Sequence, residues 1–183
     1  MKVFFTAPFD GKSKYQEYYD QIVKILEDYC DDVISPEAGN YLKTISSREK
    51  IKIKDVHKIH YEAIKRGILQ SDLVVMEISH SSFRVGHEAT LAILNKKPVL
   101  CLSLKENMAD KIDSPYFFGA KYSIDNLEDI ISEFINKHSK NLLNNRFNLF
   151  LSSSQLSYLD SAAKAKKISN SAYIRWLIDK DRN

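Results

Sequence analysis

Glu88 is the residue whose surroundings best suit covalent chemistry. It follows Gly86 and His87 in a stretch that opens with an apolar run at residues 73–78, which contains Glu77. The stretch continues through a polar loop with Ser82 and Arg84 and closes with a second apolar run at residues 98–102. Between the runs, residues 88–94 carry apolar side chains at helical spacing, so the segment reads as strand, loop, helix and strand. In such a unit the loop leaving the strand and the start of the following helix face the ligand crevice. This reading puts Glu88 in the first helical turn, where the helix dipole favours negative charge and keeps a carboxylate ionised near neutral pH. An ionised carboxylate at a crevice can act as a nucleophile. The plainer alternative is an acidic residue that steadies a helix start.

Other side chains offer weaker chemistry. Glu77, at the end of an apolar strand, can either accept hydrogen bonds from a ligand or hold the adjacent loop. His87 either shapes the pocket or serves as a general acid, since the imidazole pKa lies near neutrality. His57 and His60 stand three apart with Glu62 nearby, but no third ligand has metal-site spacing. They read as helix-surface histidines, and neither a metal nor a cofactor is expected. The Gly11-Lys12-Ser13-Lys14 stretch precedes a helix and could hold phosphate, although it lacks P-loop spacing. Cys30 and Cys101 cannot build a disulfide framework, and Cys101 lies in an apolar strand where an inert buried thiol is expected.

The elements that must position Glu88 alternate along the chain. Residues 2–6 read as a buried strand, and residues 14–29 as a helix with Tyr18, Ile22, Ile25, Leu26 and Tyr29 on one face. Residues 33–34 form a short strand stopped by Pro36. Residues 36–54 show no period and read as an excursion lining the crevice. A helix over residues 55–69 turns Val56, Ile59, Ala63 and Ile64 inward. After the Glu88 unit come a short helix at residues 106–112, a last strand at residues 121–124, and a helix over residues 126–138 with Asp125 as its cap. The alternation predicts an α/β fold: an open, parallel, five-stranded sheet of flavodoxin-like or Rossmann-like type with helices on both faces.

Length and composition frame this reading. The chain has 183 residues, of which 44% are hydrophobic, enough for a packed core and an appendage. No apolar run approaches the roughly 20 residues that span a bilayer, and no signal-peptide pattern opens the chain. A cytoplasmic protein without a membrane partner is expected. Residues 1–136 hold 18 Lys and Arg against 21 Asp and Glu, a balance of −3, whereas residues 137–183 hold 9 against 3, a balance of +6. This asymmetry suggests a separate C-terminal module with an anionic partner, or simply a solvated basic tail.

The ordered set Asp72, Glu77, Ser82, Val85-Gly86-His87-Glu88, Ala92 and Lys97-Pro98-Val99-Leu100-Cys101-Leu102 resembles the nucleoside 2-deoxyribosyltransferase superfamily, in particular its deoxynucleoside 5′-monophosphate N-glycosidases. The first strand and the Phe9-Asp10-Gly11 turn extend the likeness over residues 1–136. The resemblance implies Glu88 as nucleophile with His87 as a catalytic neighbour. It also implies Ala7, Phe9, Gly11, Glu77, Ser82, Arg84 and Gly86 around the substrate, with Ser82 and Arg84 toward a phosphate. Two positions depart from the family pattern. Ile64 stands where members place an Asp, and Phe4 stands where many have a Tyr. The acid must then come from elsewhere, with His87, Glu62 or His60 as candidates.

A polar stretch at residues 139–145 reads as a linker, dividing the chain into domains at residues 1–138 and 146–183. Residues 146–151 alternate as a strand, Ser152 to Ser154 offer a cap for a helix over residues 155–167, and Ser169-Asn170-Ser171 cap a second helix. The pattern resembles a ribbon-helix-helix domain, which implies an intertwined dimer with paired strands. Phe147, Leu149 and Leu151 would face the dimer core. Arg146, Asn148 and Phe150 would face outward, toward the DNA major groove in DNA-binding relatives, and the amides near Ser169 and Asn170 toward phosphate.

These readings imply an enzyme that cleaves or transfers the N-glycosidic bond of a nucleoside or nucleotide through Glu88. A catalytically degenerate nucleotide sensor that biases a DNA-binding tail is the alternative. A homo-oligomer, at least a dimer, is expected under either.

Overall fold

The computed structural model describes residues 1–139 and 147–182. It divides into two compact units, within Met1–Leu143 and Asn144–Asn183.

In the first unit the strands are β1 (Lys2–Thr6), β2 (Asp32–Ile34), β3 (Leu73–Glu77), β4 (Val99–Ser103) and β5 (Phe117–Lys121). The helices are α1 (Lys12–Tyr29), α2 (Ser47–Ile53), α3 (Val56–Gln70), α4 (Phe83–Leu94) and α5 (Leu127–Ser139). All strand pairs are parallel, in the order β2-β1-β3-β4-β5. This is the expected fold class. Parallel strands covered on both faces need apolar residues at every position rather than alternating ones, as β3 and β4 show with every residue buried. Val3, Phe5, Val75 and Leu102 pack with Tyr19, Ile22 and Leu26 of α1 and Ile131 of α5. On the other face Phe4, Val74, Met76 and Cys101 pack with Ile64 and Ile68 of α3 and with Val85, Ala89 and Ala92 of α4.

The chain reverses its direction of travel across the sheet between β1 and β3, so the crevice for a ligand opens beyond their carboxyl ends. Thr6 and Glu77 close those two strands. Asp72 fixes the entry of β3 against β1. Its carboxylate accepts from the Lys2 amide at 2.8 Å, and its own amide donates to the Lys2 carbonyl at 2.8 Å.

Several expected boundaries move. Residues 36–54 are not an aperiodic excursion. They hold a 3-10 turn at Asn40–Thr44 and then α2, whose start is a reciprocal capping box between Ser46 and Glu49. α3 starts at Val56 with Asp55 as its cap, and Val56 is 74% exposed rather than inward. In α1 it is Tyr15 and Tyr19, not Tyr18 and Tyr29, that join Ile22 and Leu26 in the core. α4 begins five residues before Glu88, because the Ser82 hydroxyl accepts the Val85 amide at 3.4 Å and starts the helix there. Residues 106–112 give only a 3-10 turn at Ala109–Lys111. The last strand is Phe117–Lys121, not residues 121–124, and a capping box from Ser123 to Asn126 replaces Asp125 as the lead into α5.

In the second unit α6 (Ser153–Ala165) is capped by Ser152 and Gln155, and α7 (Asn170–Arg182) by Ser169, which accepts the Ala172 amide at 3.2 Å. Leu159, Ala163 and Tyr173 form its buried core. Residues 147–151 carry no strand assignment where a ribbon was expected. A ribbon of that kind takes its ladder hydrogen bonds from a partner strand, which a single chain does not supply. Arg146 lies outside the described residues, as does the expected linker except for Ser139, which closes α5.

Gly67 of α3 lies directly over Phe4, and a Cβ there would stand 2.6 Å from the Phe4 ring. Gly67→Ala is therefore expected to lower stability by about 1–3 kcal/mol through overpacking, despite alanine's better helix propensity. Chemical denaturation of the two proteins measures it, and equal or greater stability of the variant would contradict this packing.

Candidate active site

Glu88 occupies the second turn of α4, not the first, and is 3% exposed. The position changes its electrostatics. Instead of being held ionised by the helix terminus, its carboxyl is pushed up from 4.5 to about 7 by burial, against opposing contributions from a Thr6 hydrogen bond and the Arg84 charge. Its Oε2 atom is buried without a hydrogen-bond partner. A buried carboxyl with a free oxygen is primed to accept a bond from something that enters the crevice.

A cavity of about 220 Å³ lies between α3 and α4. His57, His60, Tyr61, Ile64 and Lys65 line it from α3, and Arg84, His87, Glu88 and Leu91 from α4. Contacts tie the two helices together around it. Arg84 Nη1 lies 3.2 Å from His60 Nε2, and the His87 ring stacks on Tyr61 with centroids 5.9 Å apart. Tyr41 Oη in turn lies 2.9 Å from His60 Nδ1. Burial, Arg84 and His57 all lower the His60 pKa, which favours the neutral imidazole. A larger cavity of about 320 Å³ on the other flank of α4 is lined largely by apolar groups such as Met76, Ile93, Met108 and Phe117. The smaller cavity is the better candidate because it holds the titratable groups together with Glu88.

Glu77 serves the scaffold with one oxygen. Its Oε1 accepts from the Ser79 amide at 3.1 Å, the Ser79 hydroxyl and the Tyr122 hydroxyl at 3.2 Å, while Ser79 Oγ accepts the Leu104 amide at 2.8 Å. Glu77 thus fixes the loops after β3 and β4. Its Oε2 is buried and unpartnered, and burial raises its pKa.

The structure gathers Arg84, His87 and Glu88 around one cavity. Ala7, Phe9, Gly11, Glu77 and Ser82 do not line it. Ala7 is half-buried after β1, and Phe9 is exposed beneath the Lys12 ammonium. Gly11 is buried, with no room for a Cβ beside Tyr19 and His80. Gly86 lines the larger cavity, and Ser82 caps α4. Ile64 sits in the cavity wall and in the core of α3, where the resemblance implies a carboxylate. Phe4 is wholly buried over Gly67. In the tail Asn148 and Phe150 are exposed, Ser169 caps α7, and Asn170 Nδ2 donates to Asp160 at 2.5 Å. Among the described residues no group of three or more His, Cys, Asp or Glu could hold a metal ion. No described helix is long and apolar enough to cross a membrane.

Sequence reasoning missed Thr6, Tyr41 and Tyr61, and read His57 and His60 as helix-surface histidines: His57 is exposed as expected, whereas His60 is half-buried, and both line the cavity. The signal for the histidines was their spacing with Tyr61 on one helix, which places them on a common side. Thr6 was visible only as the one hydroxyl ending an apolar strand.

No family model matches the chain. The chain is similar to a 5-hydroxymethyl-dUMP N-hydrolase from Danio rerio, with 26% identity over 148 residues, covering 77% of this chain and 100% of that protein. A protein of the same name from Esox lucius is 24% identical over 147 residues, covering 76% of this chain and 99% of its own. Among solved structures, a Clostridium botulinum CMP N-glycosidase shows 16% identity and a TM-score of 0.35 over 87% of this chain and 98% of that one, too loose a likeness to carry argument. Both sequence relatives carry the name of an N-hydrolase of a nucleoside monophosphate, and at modest identity they support the resemblance to the nucleoside 2-deoxyribosyltransferase superfamily. About a quarter of this chain lies beyond both relatives, and none of the comparisons supports the ribbon-helix-helix resemblance.

The raised Glu88 pKa has a thermodynamic cost. Between pH 4.5 and about 7 the folded protein holds a proton that the unfolded chain releases, so stability falls as pH rises through that window. Glu88→Gln removes the penalty. The variant is expected to be more stable than the parent at pH 8, by at most about 3 kcal/mol, and to match it at pH 4. Thermal unfolding at the two pH values measures this, and an equal difference at both would contradict a buried, proton-binding Glu88.

Proposed function

We propose that this chain hydrolyses the N-glycosidic bond of a nucleoside 5′-monophosphate, with Glu88 as the nucleophile. The observation that carries the reading is the buried Glu88 carboxyl with its unpartnered Oε2, beside a cavity that also holds His57, His60, Lys65, Arg84 and His87. Glu88 is the one acidic residue among those lining it. The relatives' names support the bond and the nucleotide class.

In this mechanism an ionised Glu88 oxygen attacks the anomeric carbon and forms a glycosyl ester while the C–N bond breaks. The departing base takes a proton from a second group. Water, giving a proton back to that second group, then attacks the anomeric carbon, breaks its bond to the Glu88 oxygen, releases the sugar phosphate and restores the carboxylate. Another base in place of water would make the reaction a transfer. His87 is the favoured acid, since its ring lines the cavity, stacked on Tyr61. Glu62 is less suited, as it pairs with Lys65 at 3.7 Å and is absent from the lining. The cavity, about 220 Å³, is smaller than the about 300–1,000 Å³ common for ligand sites.

A second proposal concerns the tail, where Phe147 is 83% and Phe150 99% exposed and Leu149 and Leu151 are also outward. We propose that residues 147–151 pair with the same segment of a second chain, which would cover those side chains and supply the missing ladder. The alternative, a nucleotide sensor whose tail holds DNA, rests on the +6 balance of residues 137–183.

Incubation with a panel of nucleosides and nucleotides, followed by chromatography for free base, tests the activity. Base release is expected from 5′-monophosphates, with kcat/KM rising about tenfold per pH unit below about 7 as Glu88 ionises, and falling again in base where the general acid has lost its proton. Glu88→Gln is expected to lose roughly a thousandfold or more. A profile flat from pH 5 to 8, or a fully active variant, would contradict the assignment. For the tail, Leu149→Asp in the full chain is expected to reduce the mass measured by light scattering to that of one chain, and an unchanged mass would count against pairing.

A further inference from the structure

Arg84 stands in the first turn of α4, where a cation opposes the positive end of the helix dipole. The helix end disfavours an arginine there and only Glu88, one turn on, attracts it locally, so its partner and its surroundings matter. Its guanidinium meets His60 of α3, with Nη1 3.2 Å from Nε2. An arginine can only donate, so Nε2 must be the unprotonated nitrogen. The imidazole proton then lies on Nδ1, which donates to the Tyr41 hydroxyl oxygen at 2.9 Å. Tyr41 also presents its ring edge-on to His60, with centroids 5.3 Å apart and planes at 82°. One relay, Tyr41 to His60 to Arg84, therefore joins the 3-10 turn at Asn40–Thr44, α3 and α4.

The choice of acceptor is informative. A carboxylate opposite Arg84 would fix the guanidinium and cancel its charge. A neutral imidazole fixes its direction and leaves the charge available, with further N–H donors unspent on His60. His57 and Lys65 of α3 and His87 of α4 add positive or ionisable nitrogen around the same cavity, and Glu88 is its one acid. Such a ring suits a tetrahedral dianion held by charge-assisted bonds, and gives nothing comparable to an uncharged ligand.

We propose that His60 is a positioning residue that aims Arg84 at the phosphate of a phosphate-monoester ligand, and so makes the cavity select a nucleotide over the corresponding nucleoside. This deepens the proposed function and rests on that cavity being the nucleotide site. His60 itself need not touch the ligand. Protonating it would remove the acceptor and set two cations against each other, within reach of His57 on its own helix, Arg84 and His87 on α4 and the Tyr41 hydroxyl. Phosphate affinity should therefore weaken in acid, against the gain that neutralising Glu88 would bring.

The test uses the full chain carrying Glu88→Gln, so that no turnover disturbs binding, with calorimetry on inorganic phosphate, deoxyuridine 5′-monophosphate and deoxyuridine. His60→Leu is expected to weaken both anions tenfold or more and to leave deoxyuridine unchanged. His60→Gln, whose amide oxygen reaches the place of Nε2, should bind within about threefold of the parent. His60→Asn, which reaches only the place of Nδ1, should behave as Leu. Arg84→Met should lose the anions to the same degree, and adding His60→Leu to it should cost nothing more. Undiminished anion binding in His60→Leu or Arg84→Met overturns the proposal. So does equal loss of all three ligands in His60→Leu, failure of His60→Gln to rescue, or a parent that binds neither anion. If the anion series holds while the chain carrying Glu88 releases no base, the positioning role stands and the hydrolase reading falls. Base release with the anion series unchanged gives the reverse.

Discussion

The burial of one carboxyl sets the terms for the rest of this structure. Glu88 is enclosed at the carboxyl edge of the sheet, where ionisation costs enough to move its pKa to about 7. The fold meets that cost with packing elsewhere on the same helix. Val85, Ala89 and Ala92 bind α4 to Met76 and Cys101 of the sheet, so Glu88 is carried inward by its neighbours rather than by attraction of its own. Such a group is a poor stabiliser and a useful reagent, the balance expected where stability is traded for function.

Its neighbours divide into those that hold the scaffold and those that face the cavity. Glu77, also buried and with its pKa also raised by burial, spends one oxygen on Ser79 and Tyr122 and so locks the loops after β3 and β4. Two glutamates eleven residues apart thus take different parts, although both carry one unpartnered oxygen. What separates them is access to a cavity lined by groups able to meet an anion. The tail is a different physical problem. Its two helices bury only a small core of Leu159, Ala163 and Tyr173, and leave Phe147, Phe150 and Leu177 outward.

The sheet was legible because buried parallel strands write themselves as unbroken apolar runs, as at residues 73–77 and 99–103. β5 was harder to read. Phe117-Phe118-Gly119-Ala120 lacks β-branched residues, and Gly119 is required because the backbone of Ala109 passes where a Cβ would be. The position of Glu88 on a helix at the crevice was readable, but its protonation state was not. That depended on where Ser82 starts α4, and a shift of one turn exchanges the dipole's help for the penalty of burial. The roles of His60 and Tyr41 were hidden for another reason, since their contact spans 19 residues and the contact with Arg84 spans 24. Local spacing carries no record of such pairs.

The central claim is that Glu88 bonds covalently to the sugar. Its most direct test is acid quenching of the chain during turnover of a nucleoside 5′-monophosphate, followed by peptide mass spectrometry. The account predicts a sugar phosphate attached to the peptide containing Glu88, localised by fragmentation to that carboxyl and released on standing in neutral buffer. Base release with Glu88 unmodified, or with the adduct on another residue, would contradict it.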